Sequence, residues 1–279
     1  MRELCIAGRG SRLAMAQNEL IKSLLEREGF KVNILTVSTR GDRDRKSAVT
    51  ELGGNGPFVR DVEKAVLAGK ADIAVHCVKD LPYETAPGLC IAGVPDAADP
   101  RDCLIMRKGT DAGFDRRPVI GTGSPRRIRQ LDELLIKETG FRGEYLSLRG
   151  NITTRLEKLR RGECDGIVLA KAGLDRIGAD LSDLQVRILA PQEMIPAVGQ
   201  GMLACECRES DTELRELLYR ITPARNYIRY RIEREIFCRF RCDCRTPVGI
   251  YADVGTQSAE LYIMYGESSK GQMAWGTKD

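Results

Sequence analysis

Two kinds of residue in this chain can do chemistry: a lysine–aspartate pair beside its only histidine, and arginines repeated at the starts of helices. The pair lies in residues 71–82, Ala-Asp-Ile-Ala-Val-His-Cys-Val-Lys-Asp-Leu-Pro. Ile73, Ala74 and Val75 form a short apolar run that fits a buried parallel strand. Polarity begins at His76, and Pro82 stops any regular element. Lys79 and Asp80 are then expected at the carboxyl edge of a sheet, where open α/β folds hold ligands. An aspartate beside a lysine there can stay ionised and face a cation formed in a reaction. A solvated ion pair on a turn has the same pattern.

The arginines recur in three places. Arg9, Ser11 and Arg12 form the first set; Thr122, Ser124, Arg126 and Arg127 the second; Arg149, Asn151 and Arg155 the third. Each set follows a strand-like run and precedes a helix-like one. A helix start offers unpaired N–H groups and partial positive charge to an anion. Arginine adds a planar fork that matches a carboxylate in two-point fashion. Because arginine at a helix start opposes the helix dipole, three such sets point to a ligand with several negative groups. No glycine-rich phosphate loop is present.

The ten cysteines lack a preceding secretory pattern, which argues against a disulfide framework. Most sit in or beside apolar runs and read as small core residues. Cys238, Cys242 and Cys244 have a spacing that is poor for zinc, so no metal is expected. Arg239, Arg241 and Arg245 surround these sulfurs; a cationic neighbourhood favours the thiolate and makes a covalent attachment site plausible.

The elements that must position these groups follow from periodicity. Leu4 to Ala7, a helix from Ser11 to Gly29, and Val32 to Val37 make a strand–helix–strand unit with a parallel pair. Residues 40–56 read as a long loop, and Phe58 to Val66 as a second amphipathic helix. Leu89 to Val94 is a further strand, and Pro95 to Arg101 a crossing. The pattern repeats with strands at 119–120, 145–148, 166–170 and 186–189 and helices at 125–136, 152–161 and 171–177. Residues 196–201 read as a return crossing, with 203–207 as a strand of the first lobe. A charged helix and two strands close the chain. The expected domains are 1–96 with 202–219, then 99–195, then 222–279.

With 42% apolar and 30% charged residues the chain reads as globular, and no run approaches the ~20 apolar residues of a membrane span. A net charge of +4 and 5% aromatics give little for nucleic acid. A cytoplasmic location is expected.

Taken together, these stretches resemble the porphobilinogen deaminase (hydroxymethylbilane synthase) family. The resemblance rests on Arg9 to Gln17, Thr39 to Asp42, Ala71 to Pro82, Asp99 to Asp102, Gly121 to Arg127, Ser147 to Arg155 and Pro196 to Gly201. It implies an α/β fold of two lobes like type II periplasmic binding proteins, with parallel-rich mixed sheets and a small α+β C-terminal domain. It implies a dipyrromethane cofactor in thioether linkage to a cysteine. It also implies four successive deaminating condensations of porphobilinogen, hydrolytic release of the tetrapyrrole, and a monomer. The matched positions make Asp80 catalytic. Lys79, Thr122, Ser124, Arg126 and Arg127 correspond to cofactor contacts. Arg9, Ser11, Gln17, Phe58, Arg149, Arg155 and Arg176 correspond to positions that hold substrate or the growing chain. Spacing to Pro247 selects Cys244 for the cofactor, with Cys242 as a rival. Glu51 and Asn55 stand where the family usually has lysines, Cys77 where serine is usual, and the C-terminal region is short. These departures suggest a second reading, an impaired relative that binds a polycarboxylate or tetrapyrrole.

Overall fold

The structure is a computed structural model that describes residues 2–39, 59–82, 84–110, 116–240, 246–266 and 269–276. In chain order the elements are β1 (Glu3–Arg9), α1 (Arg12–Arg27), β2 (Lys31–Val37), α2 (Arg60–Leu67), β3 (Ile73–Cys77) and β4 (Leu89–Ala97). There follow β5 (Asp102–Arg107), β6 (Val119–Gly121), α3 (Pro125–Thr139), β7 (Glu144–Leu146), α4 (Ile152–Arg160), β8 (Gly166–Ala170), α5 (Lys171–Arg176) and β9 (Leu184–Ile188). The remainder is β10 (Met202–Arg208), α6 (Thr212–Arg220), α7 (Ala224–Phe240), β11 (Val248–Val254), β12 (Ser258–Tyr265) and β13 (Ser269–Gly276).

The chain forms two compact units, Met1–Ala98 with Gly201–Asp243, and Asp99–Gln200 with Cys244–Asp279. The first contains a five-stranded sheet in the order β2-β1-β3-β10-β4. β1 is parallel to both β2 and β3, while β10 runs antiparallel between β3 and β4. The second contains a sheet of order β7-β6-β8-β5-β9 and a three-stranded antiparallel sheet β11-β12-β13. In the larger sheet β6 is parallel to β7 and β8, and β5 is the antiparallel strand between β8 and β9. Each five-stranded sheet is thus a parallel core with one reversed strand, the arrangement of a type II binding-protein lobe.

In α1 and α4 the sequence supplies both a cap and an apolar stripe. Ser11 accepts the Ala14 N–H at 3.3 Å and starts α1, whose Ile21 and Leu25 are fully buried against the sheet. Their neighbours there are Leu4, Ile6, Ile73 and Leu203. Asn151 accepts the Thr154 N–H at 2.9 Å and starts α4, which buries Leu156 and Leu159.

Several expectations need correction. β4 runs through Pro95 to Ala97, so the first crossing begins at Ala98. Proline is tolerated there because the pairing with β10 is irregular between Gly93 and Asp96, a bulge in which Pro95 has no register partner. Residues 102–107 form a strand that periodicity does not reveal, because β5 lies between two neighbours and most of it is buried, leaving no alternation. α6 and β13 are further additions. The run at 73–77 is parallel on one side only, since β10 returns beside it. The expected loop at 40–56 lies outside the described residues, as do Phe58, Cys242 and Cys244.

Candidate active site

In the first unit, two turns leave one sheet edge, because β1 and β3 are parallel neighbours. Arg9, half-buried, ends β1, and the turn after it carries Ser11, the α1 cap. The backbone at Gly8 must stay bare: a Cβ there would come within 2.1 Å of the Asn18 amide. The turn after β3 is a single 3-10 turn, Val78–Asp80. Val78 is buried and anchors it, and the Leu81 N–H closes it on the Val78 carbonyl at 3.1 Å. Lys79 and Asp80 are exposed at its tip. Gln17, buried on α1, donates to the Cys77 Sγ at 3.1 Å and ties α1 to the end of β3.

His76 does not face solvent. Its Nε2 lies 3.1 Å from the Glu206 Oε2, and the two residues are 5% and 1% exposed. The pair joins β3 to β10 beneath the Asp80 turn. Glu63 on α2 is near it; burial first, then Glu206, raises its carboxyl above the ordinary range.

In the second unit the turns after β6 and β7 share an edge for the same reason. Thr122 is buried and its Oγ1 accepts the Ser124 N–H at 3.3 Å. Ser124 occupies the N-cap of α3 and Pro125 its first turn, so the N–H groups there have no side-chain cap. Arg126 and Arg127 are both buried. Arg126 Nη2 donates to Asp102 Oδ2 at 2.8 Å and its Nη1 to the Ile195 carbonyl at 2.7 Å. Arg127 donates to Asp102 Oδ1 from Nε at 3.1 Å and Nη2 at 2.7 Å, and from Nη1 to the Val168 carbonyl at 2.9 Å. Gln200 Nε2 is a third residue donating to Asp102, at 3.1 Å. These arginines therefore knit the start of α3 to β5 and β8.

Arg149, Asn151 and Arg155 follow β7. Arg155 Nε donates to the Gly150 carbonyl at 2.9 Å, across a glycine whose φ of 109° most side chains avoid. Burial lowers the pKa of Arg155, and Arg127 and Arg149 push it the same way. Arg155 therefore has both Arg127 and Arg149 as neighbours. Arg176 is half-buried at the end of α5.

The sequence reading missed Asp102, Glu206 and Arg234. Asp102 had a signal: two consecutive arginines behind Pro125 need a buried counter-charge if both turn inward. Among the described residues, no cluster of three or more His, Cys, Asp or Glu is placed to hold a metal ion.

Two lobes of type II binding-protein topology, each bringing helix starts to a sheet edge, define a binding-protein-like α/β class. The family model "Porphobilinogen deaminase, dipyromethane cofactor binding domain" matches residues 4–216. The porphobilinogen deaminase of Syntrophomonas wolfei is 38% identical over 266 residues, which span 94% of this chain and 84% of that one. The protein of Roseiflexus castenholzii with the same name is 38% identical over 278 residues, 99% of this chain and 89% of that one. The chain belongs to the porphobilinogen deaminase family. Among solved structures, the second substrate-binding domain of a putative amino acid ABC transporter from Streptococcus pneumoniae is similar at 14% identity. It covers 79% of this chain and 91% of that one, with a TM-score of 0.49.

Proposed function

We infer that Asp80 and the arginine-bearing turns carry out the hydroxymethylbilane synthase reaction of this family. Four porphobilinogen molecules are joined with loss of four ammonia, and the linear tetrapyrrole is released by hydrolysis. The covalent dipyrromethane supplies the pyrrole carbon on which the chain begins. Its acetates and propionates fit the residues present, because the start of α3 carries no side-chain cap and the turn after β7, with Arg149 and Arg155, leaves the same sheet edge. That shared edge of open N–H groups and guanidinium side chains is the observation that carries the reading, since such groups match a polycarboxylate.

The roles follow from position. The Asp80 carboxylate, exposed at a turn whose backbone is held below, stabilises the positive charge left on the substrate methylene as ammonia departs. Thr122 and Ser124 present the start of α3 to a cofactor carboxylate, Arg126 and Arg127 hold that start in place through Asp102, and Lys79 contributes a cation beside Asp80. Arg9, Ser11, Gln17, Phe58, Arg149, Arg155 and Arg176 hold the substrate and growing chain. Cys244 carries the thioether. The reading includes three domains divided near residues 97–99, 196–201 and 221, and a monomer working in the cytoplasm. No helix among the described residues is long and apolar enough to cross a membrane.

Intact mass of the purified protein tests it. The wild type is expected to exceed its chain mass by two linked porphobilinogen-derived rings. Cys244→Ser should lose the excess and Cys242→Ser keep it. Asp80→Asn should keep the excess while turnover falls at least about 10²-fold. An unmodified wild type from cells that make porphobilinogen, or near-normal turnover in Asp80→Asn, would overturn the assignment.

A further inference from the structure

The turn that presents Asp80 is closed from below by a residue of another element. Arg234, on α7, donates from Nη2 to the Pro82 carbonyl at 2.6 Å and from Nη1 towards the Leu81 carbonyl at 3.4 Å. These are the two carbonyls that follow Asp80. One planar guanidinium fork spans both, which a single ammonium would not do with the same geometry. The fork is itself braced: its carbon lies 5.6 Å from the centre of the Phe237 ring, one turn further along α7. It also lines a small cavity with Glu63, Glu206, Leu81 and Pro82. α7 ends at Phe240, four residues before Cys244.

We propose that Arg234 is a positioning residue that fixes the Asp80 turn to the helix leading into the cofactor-bearing segment. The inference rests on the catalytic assignment of Asp80 made above. The helix interior gives Arg234 little freedom, so the two carbonyls, and with them the backbone that aims Asp80, take their position from α7. A misplacement near 1 Å of a group that must face a developing charge can cost on the order of 10²-fold in rate.

The test compares Arg234→Met, which keeps much of the stem and removes the fork, with Arg234→Lys, using the cofactor-loaded protein. Five quantities are read: kcat and KM for porphobilinogen, intact mass, melting temperature, and amide hydrogen exchange of the peptide covering residues 77–82. In Arg234→Met, exchange in that peptide should quicken, beginning with the Leu81 N–H that closes the turn. kcat should fall about 10- to 100-fold, with KM within about twofold and the dipyrromethane mass retained. Arg234→Lys should recover part of kcat. Unchanged exchange, or quickened exchange with kcat within about twofold of the wild type, overturns the proposal. So does a fall in kcat that only follows lost cofactor mass or a lowered melting temperature. Should Arg234→Met not fold, Arg234→Lys decides: several-fold lower kcat at unchanged KM and melting temperature supports the proposal, and anything else overturns it. Failure of the Asp80 assignment is separate, because it is read from Asp80→Asn in an otherwise wild-type chain.

Discussion

Asp102 is fully buried and takes hydrogen bonds from two guanidinium groups and an amide. Burial first, and Arg127 beside it, lower the pKa of Arg126 against the opposing pull of Asp102, so the charge of this pair of cations is balanced by that one carboxylate. Asp102→Asn should therefore cost about 3–5 kcal/mol of stability, read by urea unfolding, because it leaves two buried cations short of a counter-charge. Asp211 offers a pH-dependent case at the surface. Its carboxylate accepts from Arg2 and from the Leu214 N–H at 3.2 Å, capping α6. The Arg2 bond, then the cap, holds its pKa below the usual 3.8, against a burial effect that raises it. A depressed carboxylate stabilises the fold above its unfolded pKa and loses that effect as pH falls through the folded one. Asp211→Asn should cost about 0.5–1 kcal/mol near neutral pH, allowing for the partly exposed Arg2. The difference from wild type should shrink as pH falls below 3.8 and through the lower folded-state pKa, measured by denaturant midpoints across pH.

At the scale of elements, close approach decides which residues are allowed. β4 packs on α6 through Gly93, where a Cβ would lie 2.4 Å from the Leu218 carbonyl oxygen and 2.7 Å from the Thr222 Oγ1. Thr222 Oγ1 accepts the Val94 N–H at 2.9 Å and donates to the Leu218 carbonyl at 2.7 Å, locking helix end to strand. Backbone cannot give way as a flexible side chain does, so Gly93→Ala should lower stability by about 1–3 kcal/mol in thermal unfolding. An unchanged melting temperature would show that α6 slides freely on β4. The buried His76–Glu206 pair acts at the same scale: it pins the reversed strand β10 to β3 beside the turn that carries Asp80.

For the whole molecule, both units repeat one plan, a parallel core with a reversed strand, and both present turns from the carboxyl edges of parallel neighbours. A covalent ligand that contacts only the folded chain stabilises it. Protein from cells unable to make porphobilinogen should lack the dipyrromethane mass and melt at least about 3 °C lower by calorimetry than the loaded form. Equal melting temperatures would mean that the group adds no contacts to the native state.

By itself the sequence determined the paired lobes, most of the strands and helices, the exposed Lys79–Asp80 turn and the arginine-bearing helix starts. Each of these is written in local signals: short apolar runs, caps such as Ser11 and Asn151, and turn residues at fixed offsets. Only the tertiary structure decided that Arg126 and Arg127 turn inward to Asp102, that His76 pairs with Glu206 130 residues away, that β5 is a buried reversed strand, and that Arg234 grips the carbonyls behind Asp80. Those outcomes depend on which partner a charged side chain finds once the chain is packed. Distant residues meet by strand order and helix docking, and a periodicity of two or 3.6 carries no record of that.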